Sequence, residues 1–257
     1  MDLSGILLAG GKSKRFGPNK VKIISGGVPL IADQIMKLCF FCNEIVISSS
    51  QENQDFIRTT LEKIKDYSRM LKITNRMQIP PLKIVLDENI VIEDPTGIGP
   101  LAGIYTGLKK SGNDRCLVIA SDMPFISYSL LKLLIDTIVE NPEADSVIVR
   151  NKKGIEALCG IYSKNYITII EESIKSGIYK ISKILDELKV KWIDSKRLRE
   201  EKIDIYNFFN INSKKDIEKF VQIYNKGVNR YGTDYFNSGT GKKWEDNFYR
   251  GTSKGVK

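Results

Sequence analysis

Short β-branched and aliphatic runs alternate with amphipathic stretches along most of the chain, and this alternation limits the fold more than any other feature. The runs Gly5–Ala9, Glu44–Ser48, Lys83–Asp87, Arg115–Ser121, Asp145–Arg150, Ala157–Tyr162 and Val190–Ile193 predict strands. Between them, Pro29–Phe40, Asn53–Leu71, Pro100–Lys110 and Ser129–Glu140 carry helical patterns, with Pro29 and Pro100 where a first helical turn tolerates proline. Strands alternating with helices of this length read as βαβ units. They predict an α/β, three-layer, Rossmann-like architecture with a mostly parallel sheet covered on both faces. Ligands of such sheets bind beyond the carboxyl ends of the strands, so chemistry is expected in the loops after Ala9, Ser48, Asp87 and Ser121.

The 257 residues fit one large domain with an appendage as well as two domains, and 42% hydrophobic residues suffice for a real core. A helix beginning near Ser213 closes the first domain, read as residues 1–222. Residues 223–257 form the second unit, a basic, Gly/aromatic-rich tail with six glycines, seven aromatics and almost no aliphatics. No period of 2 or 3.6 survives there, which predicts a poorly structured C-terminal tail. Interleaved cations and rings leave a second role open, gripping single-stranded nucleic acid or a protein groove by stacking. The tail holds seven basic and three acidic side chains, so +4 of the net +9 is there and +5 is spread over the first 222 residues. That spread is too diffuse for a nucleic-acid groove, whereas a small polyphosphate substrate suits a few clustered cations.

The chain has no histidine. Ser-His-Asp triads, His-ligated zinc and imidazole proton shuttles are therefore excluded, leaving carboxylate, amine, guanidinium, backbone amide and oxygen-ligated metals for catalysis. Four cysteines are too few for a disulfide scaffold, and Cys39 and Cys42, which lie close together, read as small apolar residues near a helix end. The start Met1-Asp2-Leu3-Ser4 has no basic segment, and no apolar run approaches the ~18 residues of a membrane span, so a cytoplasmic protein is expected.

The strongest local signal is Leu7-Leu8-Ala9-Gly10-Gly11-Lys12-Ser13-Lys14-Arg15-Phe16-Gly17-Pro18-Asn19-Lys20. A buried strand runs into adjacent glycines, which let backbone N–H groups turn toward an anion without a Cβ in the way. Lys12, Lys14, Arg15 and Lys20 add the charge that a triphosphate needs. Gly11-Lys12-Ser13 mimics the end of a Walker A motif, but Ile6 stands where its first glycine belongs, and the GxGxxG order is absent. Asp122 ends the apolar run Cys116–Ala120, so its carboxylate is expected at the same edge, where Mg²⁺ can be held by one or two carboxylates plus substrate phosphates. A capping or turn aspartate is the alternative role.

From Leu8 to Lys20 the chain resembles the signature of the MobA-like nucleotidyltransferases, specifically the molybdenum cofactor guanylyltransferases. Gly99-Pro100-Leu101-Ala102-Gly103-Ile104 is similar to the family's helix start, Ser121-Asp122-Met123-Pro124-Phe125 to its strand-end aspartate motif, and Phe209-Asn210-Ile211-Asn212-Ser213 to its late NxN element. The resemblance covers residues 1 to about 222 and implies the nucleotidyltransferase fold, with GMP transferred from GTP to molybdopterin. It implies Arg15, Lys20 and Asp122 as catalytic residues. Nucleotide contacts would come from Leu8, Ala9, Gly10, Gly11, Lys12, Ser13, Lys20, Ser48, Asp87 and Asp122, with Asp94 a rival to Asp87. Mg²⁺ would be the cofactor, held by Asp122 and Asn212, although an asparagine before Ser213 and a helix is also a good cap. An accessory GTP-binding protein and recipient molybdoenzymes are implied as partners. Phe16 replaces the commoner methionine, Ser48 stands where the family places an asparagine, and Glu156-Ala157-Leu158-Cys159 lacks the proline usual there. The competing readings are a sister enzyme using CTP or a sugar phosphate acceptor, and a silent binding protein acting through the tail.

Overall fold

The computed structural model describes residues 1–10, 20–25, 27–70, 78–86 and 99–225. In chain order its elements are β1 (Ser4–Ala9), β2 (Ile24–Ser25), β3 (Val28–Pro29), α1 (Leu30–Cys39), β4 (Glu44–Ser49), α2 (Gln54–Glu62), α3 (Ile64–Met70), β5 (Leu82–Leu86) and α4 (Pro100–Lys110). Then follow β6 (Arg115–Ala120), α5 (Tyr128–Glu140), β7 (Ser146–Asn151), β8 (Gly154–Ser163), α6 (Tyr166–Lys175), α7 (Ile181–Ile184), β9 (Val190–Asp194), α8 (Ser195–Glu200) and α9 (Lys214–Asn225). A seven-stranded sheet has the order β5-β4-β1-β6-β8-β7-β9. The pairs β1–β4, β1–β6, β4–β5 and β7–β9 are parallel, and only β8 runs against its neighbours in this sheet.

Every expected strand is present, and the sheet is mostly parallel with helices on both faces. Three local features differ from expectation. The stretch read as one helix over Asn53–Leu71 is two, with Lys63 leaving helical geometry at φ −95°, ψ 4° between α2 and α3. Pro29 precedes α1 as its N-cap rather than opening its first turn. A two-residue ladder, Ile24 and Ser25 against Pro29 and Val28, is too short to leave any period in the sequence. Helix α9 continues past residue 222 to Asn225, and the tail from residue 226 lies outside the described residues.

Alternation along the strands divides the core in two, because successive side chains point to opposite faces. Leu7, Ile45, Ile47, Leu117 and Ile119 pack under α1, α2, α3, α5 and α8, whereas Ile6, Leu8, Cys116 and Val118 pack under α4, α6 and α7. Helix α1 is buried from Leu30 to Leu38, and within it Lys37 Nζ and Asp33 Oδ2 form an ion pair at 2.8 Å with no more than 1% of either side chain exposed. All four cysteines are free thiols; Cys39 and Cys42 pack with the core at the end of α1, and burial pushes Cys39 up to about 12 and Cys42 higher. Among the described residues no helix is long and apolar enough to cross a membrane.

Helix α4 lies close against β1 because Gly107 has no side chain. A Cβ there would sit 2.5 Å from Ile6 Cγ2 and 2.9 Å from Ile6 Cδ1. Ile6 is fully buried and its Cγ2 is fixed by a β-branched rotamer, so it cannot yield. Gly107→Ala is expected to cost about 1–3 kcal/mol of overpacking, offset in part by the better helix propensity of alanine. Denaturant unfolding should show a lower midpoint, and the penalty should shrink in an Ile6→Ala background. Additive losses would mean that the two residues do not touch.

Candidate active site

The carboxyl ends of β5, β4, β1 and β6 form one ledge, and two hydrogen bonds fix how the chain leaves it. The Ser121 N–H donates to Leu8 O at 3.0 Å, stitching the turn that carries Asp122 to the end of β1. The Ile211 N–H donates to Asp122 O at 2.9 Å, docking the Asn210–Asn212 element on the same turn. Asp122 and Asn212, far apart in sequence, are thus brought together beside the exit of β1 toward Gly10. Asp122 is half-buried and its Oδ1 is shielded from solvent.

The side-chain caps of the two neighbouring helices are supplied by other residues. Helix α5 is capped by Ser127, whose hydroxyl accepts from the Leu130 N–H at 3.2 Å, so Asp122 is not its cap. At α9 the Ser213 and Asp216 side chains form the reciprocal cap: Ser213 Oγ donates to Asp216 Oδ2 at 2.8 Å and accepts from the Asp216 N–H at 3.3 Å. Asn212 contributes its backbone N–H to Asp216 Oδ2 at 3.0 Å, and its side chain is exposed.

Side chains not anticipated from the sequence hold this ledge. Asn53, 1% exposed at the end of the turn after β4, donates from Nδ2 to Ala9 O at 2.8 Å. Gln34, fully buried in α1, donates from Nε2 to Met123 O at 3.0 Å. The Leu8 and Ala9 carbonyls are therefore engaged within the protein, which sets the direction in which the chain passes into Gly10. Beneath the Asp122 turn, Phe125 packs among Ile23, Leu30, Ile211 and Phe220, so α9 is fastened to the site through apolar contact. The one signal for Gln34 in the sequence was a run of polar residues, Asp33, Gln34 and Lys37, inside an otherwise apolar helix.

Among the sequence-derived candidates, Leu8, Ala9, Gly10, Asp122 and Asn212 gather at this ledge. Ser48 is fully buried within the sheet, paired in register with Leu8 and Val85. Gly11, Lys12, Ser13, Arg15 and Asp87, with its rival Asp94, lie outside the described residues; the Lys20 backbone opens the 3-10 turn Lys20–Lys22. Among the described residues no group of three or more His, Cys, Asp or Glu side chains could hold a metal ion. The oxygen donors present, the Asp122 carboxylate and the Asn212 amide on the element docked to its turn, are of the type that suits Mg²⁺ taking its remaining ligands from phosphates and water.

The opposite edge is built differently. A cleft of about 600 Å³ opens there between Met1, Asp2, the Gly112–Arg115 turn, Ile138, Val139 and Pro142. Next to it Glu44 accepts from Ser4 Oγ at 2.6 Å, Lys83 Nζ at 2.7 Å and the Gly112 N–H, clasping β1, β4, β5 and the turn before β6. Burial raises the Glu44 carboxyl, but these donors outweigh it and hold the group below its ordinary range. All three of these hydrogen bonds join elements of the fold, so Glu44 serves as a clasp at this edge.

The sheet order, the glycine-bearing exit from β1 and the aspartate turn beside it define a nucleotidyltransferase of the α/β type. The model of the MobA-like NTP transferase domain matches residues 5–191, and the chain belongs to that family. It is 29% identical to a molybdenum cofactor guanylyltransferase from Desulfosudis oleivorans over 84% of this chain and 93% of that protein. It is 30% identical to a probable molybdenum cofactor guanylyltransferase from Pyrococcus horikoshii, over 84% of this chain and 98% of that one. The crystal structure of molybdopterin-guanine dinucleotide biosynthesis protein A from Archaeoglobus fulgidus superposes with a TM-score of 0.63 at 25% identity, covering 88% of this chain and all of that one.

Proposed function

We propose that the chain transfers GMP from GTP to the phosphate of molybdopterin, releasing pyrophosphate. The observation that carries this reading is the ledge itself: the exit of β1, the Asp122 turn and the Asn212 element locked together by the Ser121–Leu8 and Ile211–Asp122 hydrogen bonds, in a family whose similar members carry that guanylyltransferase name.

A phosphate oxygen of the acceptor attacks the α-phosphorus of GTP; the new P–O bond forms as the bond to the β-phosphate breaks and pyrophosphate leaves. The acceptor oxygen is already ionised at neutral pH, so no general base is needed, and a protein without histidine lacks nothing for the step. The obstacle is charge, since like unit charges ~4 Å apart repel by about 4 kcal/mol at an effective dielectric of 20. In this reading the Gly10 and Gly11 amides, with Lys12, Ser13, Arg15 and Lys20, cradle the triphosphate and stabilise the departing pyrophosphate. Asp87 and the Ser48 end of β4 form the nucleoside side. Mg²⁺, held by Asp122 and Asn212 with substrate phosphates, would neutralise part of the phosphate charge. The reaction belongs in the cytoplasm, with an accessory GTP-binding protein and recipient molybdoenzymes as partners.

The test is nucleotide competition with Mg²⁺ present and molybdopterin as acceptor. Labelled GMP should be incorporated from GTP, with CTP poorer by at least about tenfold, the discrimination that ~1.4 kcal/mol provides. Preferential transfer from CTP would reassign the chain to a sister cytidylyl enzyme. Absence of transfer, together with a salt-dependent nucleic-acid shift lost on deleting residues 223–257, would favour the silent binding protein.

A further inference from the structure

The β7–β8 hairpin lies across β6 from β1, β4 and β5, which form the nucleotide side in the reading above, and its geometry is irregular at one place. The pairing of Ile148 with Gly160 gives way to Arg150 with Ile155, so residues 156–159 of β8 bulge opposite Val149. Along an unbroken strand, residues an even number apart share a face, which would put Glu156 beside Tyr162 in the apolar layer under α4, α6 and α7. Past the bulge Ile155 and Ala157 take that layer instead, and Glu156 is turned to the face where Asn151 stands. Bulges recur beside active sites because they re-aim a side chain. This one is braced from below: the Ala157 carbonyl, outside the paired register, accepts from the buried Tyr162 hydroxyl at 2.6 Å, and the Tyr162 ring packs on Tyr166 at 5.0 Å.

The re-aimed carboxyl is held but not saturated. Asn151, 8% exposed, donates from Nδ2 to Glu156 Oε1 at 2.7 Å, and its own Oδ1 accepts from the Lys153 N–H at 2.7 Å. A carboxylate can accept about four hydrogen bonds. Glu156 is half-buried, and burial raises its carboxyl above the ordinary range against the opposing pull of Asn151 and Lys153. The β6–β8 register, whose last pair is Ile119 with Cys159, runs on toward Asp122 from one strand and Glu156 from the other. Exposed Lys152 and Lys153 form the tip of the hairpin, and the Arg150 guanidinium lies 3.7 Å from the Trp192 ring centroid beside it.

We infer that Glu156 is an acceptor-recognition residue: its carboxylate accepts the adjacent ring N–H and amino group of a 2-amino-4-oxo nitrogen heterocycle, while the hairpin cations draw in the phosphate that this acceptor carries. The inference rests on the guanylyltransferase reading above. Guanine presents the same pair of donors, and what separates the two is position, since Glu156 lies across β6 from the strands that form the nucleotide side.

The experiment uses the full chain with GTP, Mg²⁺ and molybdopterin, and compares wild type with Glu156→Gln and Glu156→Asp. Glu156→Gln should raise the KM for molybdopterin at least tenfold and leave the KM for GTP and the thermal midpoint unchanged, with Glu156→Asp intermediate. Equilibrium dialysis of molybdopterin without GTP should show the same loss of affinity. An unchanged molybdopterin KM, or a rise confined to GTP, overturns the assignment while leaving the guanylyltransferase reading intact. A wild-type chain that neither binds molybdopterin nor transfers GMP overturns both.

Discussion

Asp122→Asn is expected to lower GMP transfer by about 10²–10³-fold while leaving the fold unaltered, by analogy with removing one transition-state electrostatic group. The scaffold around this residue uses its backbone: the Asp122 carbonyl accepts from the Ile211 N–H, and the flanking Ser121 N–H and Met123 carbonyl bond to Leu8 and Gln34. An isosteric amide therefore removes the negative charge and keeps the turn. The loss should come with a weakened dependence on Mg²⁺, measured as initial rate against metal concentration, and with an unchanged far-UV spectrum and melting midpoint. A variant with the wild-type rate and metal response would take Asp122 out of the reaction.

Lys37→Met is expected to have the largest effect on stability, about 3–5 kcal/mol, because it removes the buried cation paired with the Asp33 carboxylate inside α1. The pair is fully buried at 2.8 Å, and the helix is covered along its length, so water does not reach the charge that is left. Removing both charges as Asp33→Leu with Lys37→Met should return the denaturant midpoint to near that of wild type, since a buried ion pair contributes little over well-packed apolar groups. Equal losses in the single and double variants would show that the two charges do not act as a pair. Because Gln34 on the same helix holds the Met123 carbonyl, the single variant should also lose activity, but only in step with its loss of folded protein.

What could be read from the sequence follows from what is local. The strands of the main sheet were legible because each is a run of apolar residues whose length and boundaries are set by its own composition. The direction of β8 was not, since an apolar run carries no sign of orientation; only the short polar link Asn151-Lys152-Lys153-Gly154 marked a hairpin. The break at Lys63 has no glycine or proline to announce it, and the amphipathic pattern runs on through it. At the site, Asp122 was legible as a carboxylate at the end of a buried strand. Asn53 and Gln34 were not, because their bonds to Ala9 and Met123 join elements that only the tertiary fold brings together. The bulge that turns Glu156 was hidden for the same reason: it is a property of two strands, and neither one encodes it alone.

The hydrogen bond from Ile211 to Asp122 ties a carboxylate in the middle of the chain to a segment synthesised long after it. The strands β1, β4 and β6 place the aspartate at their edge, and α9 closes the underside of its turn by seating Phe220 against Phe125. A chain cut before Ile211 is expected to keep the strands of the ledge and to lose the hydrogen bond that docks the Asn210–Asn212 element on the Asp122 turn.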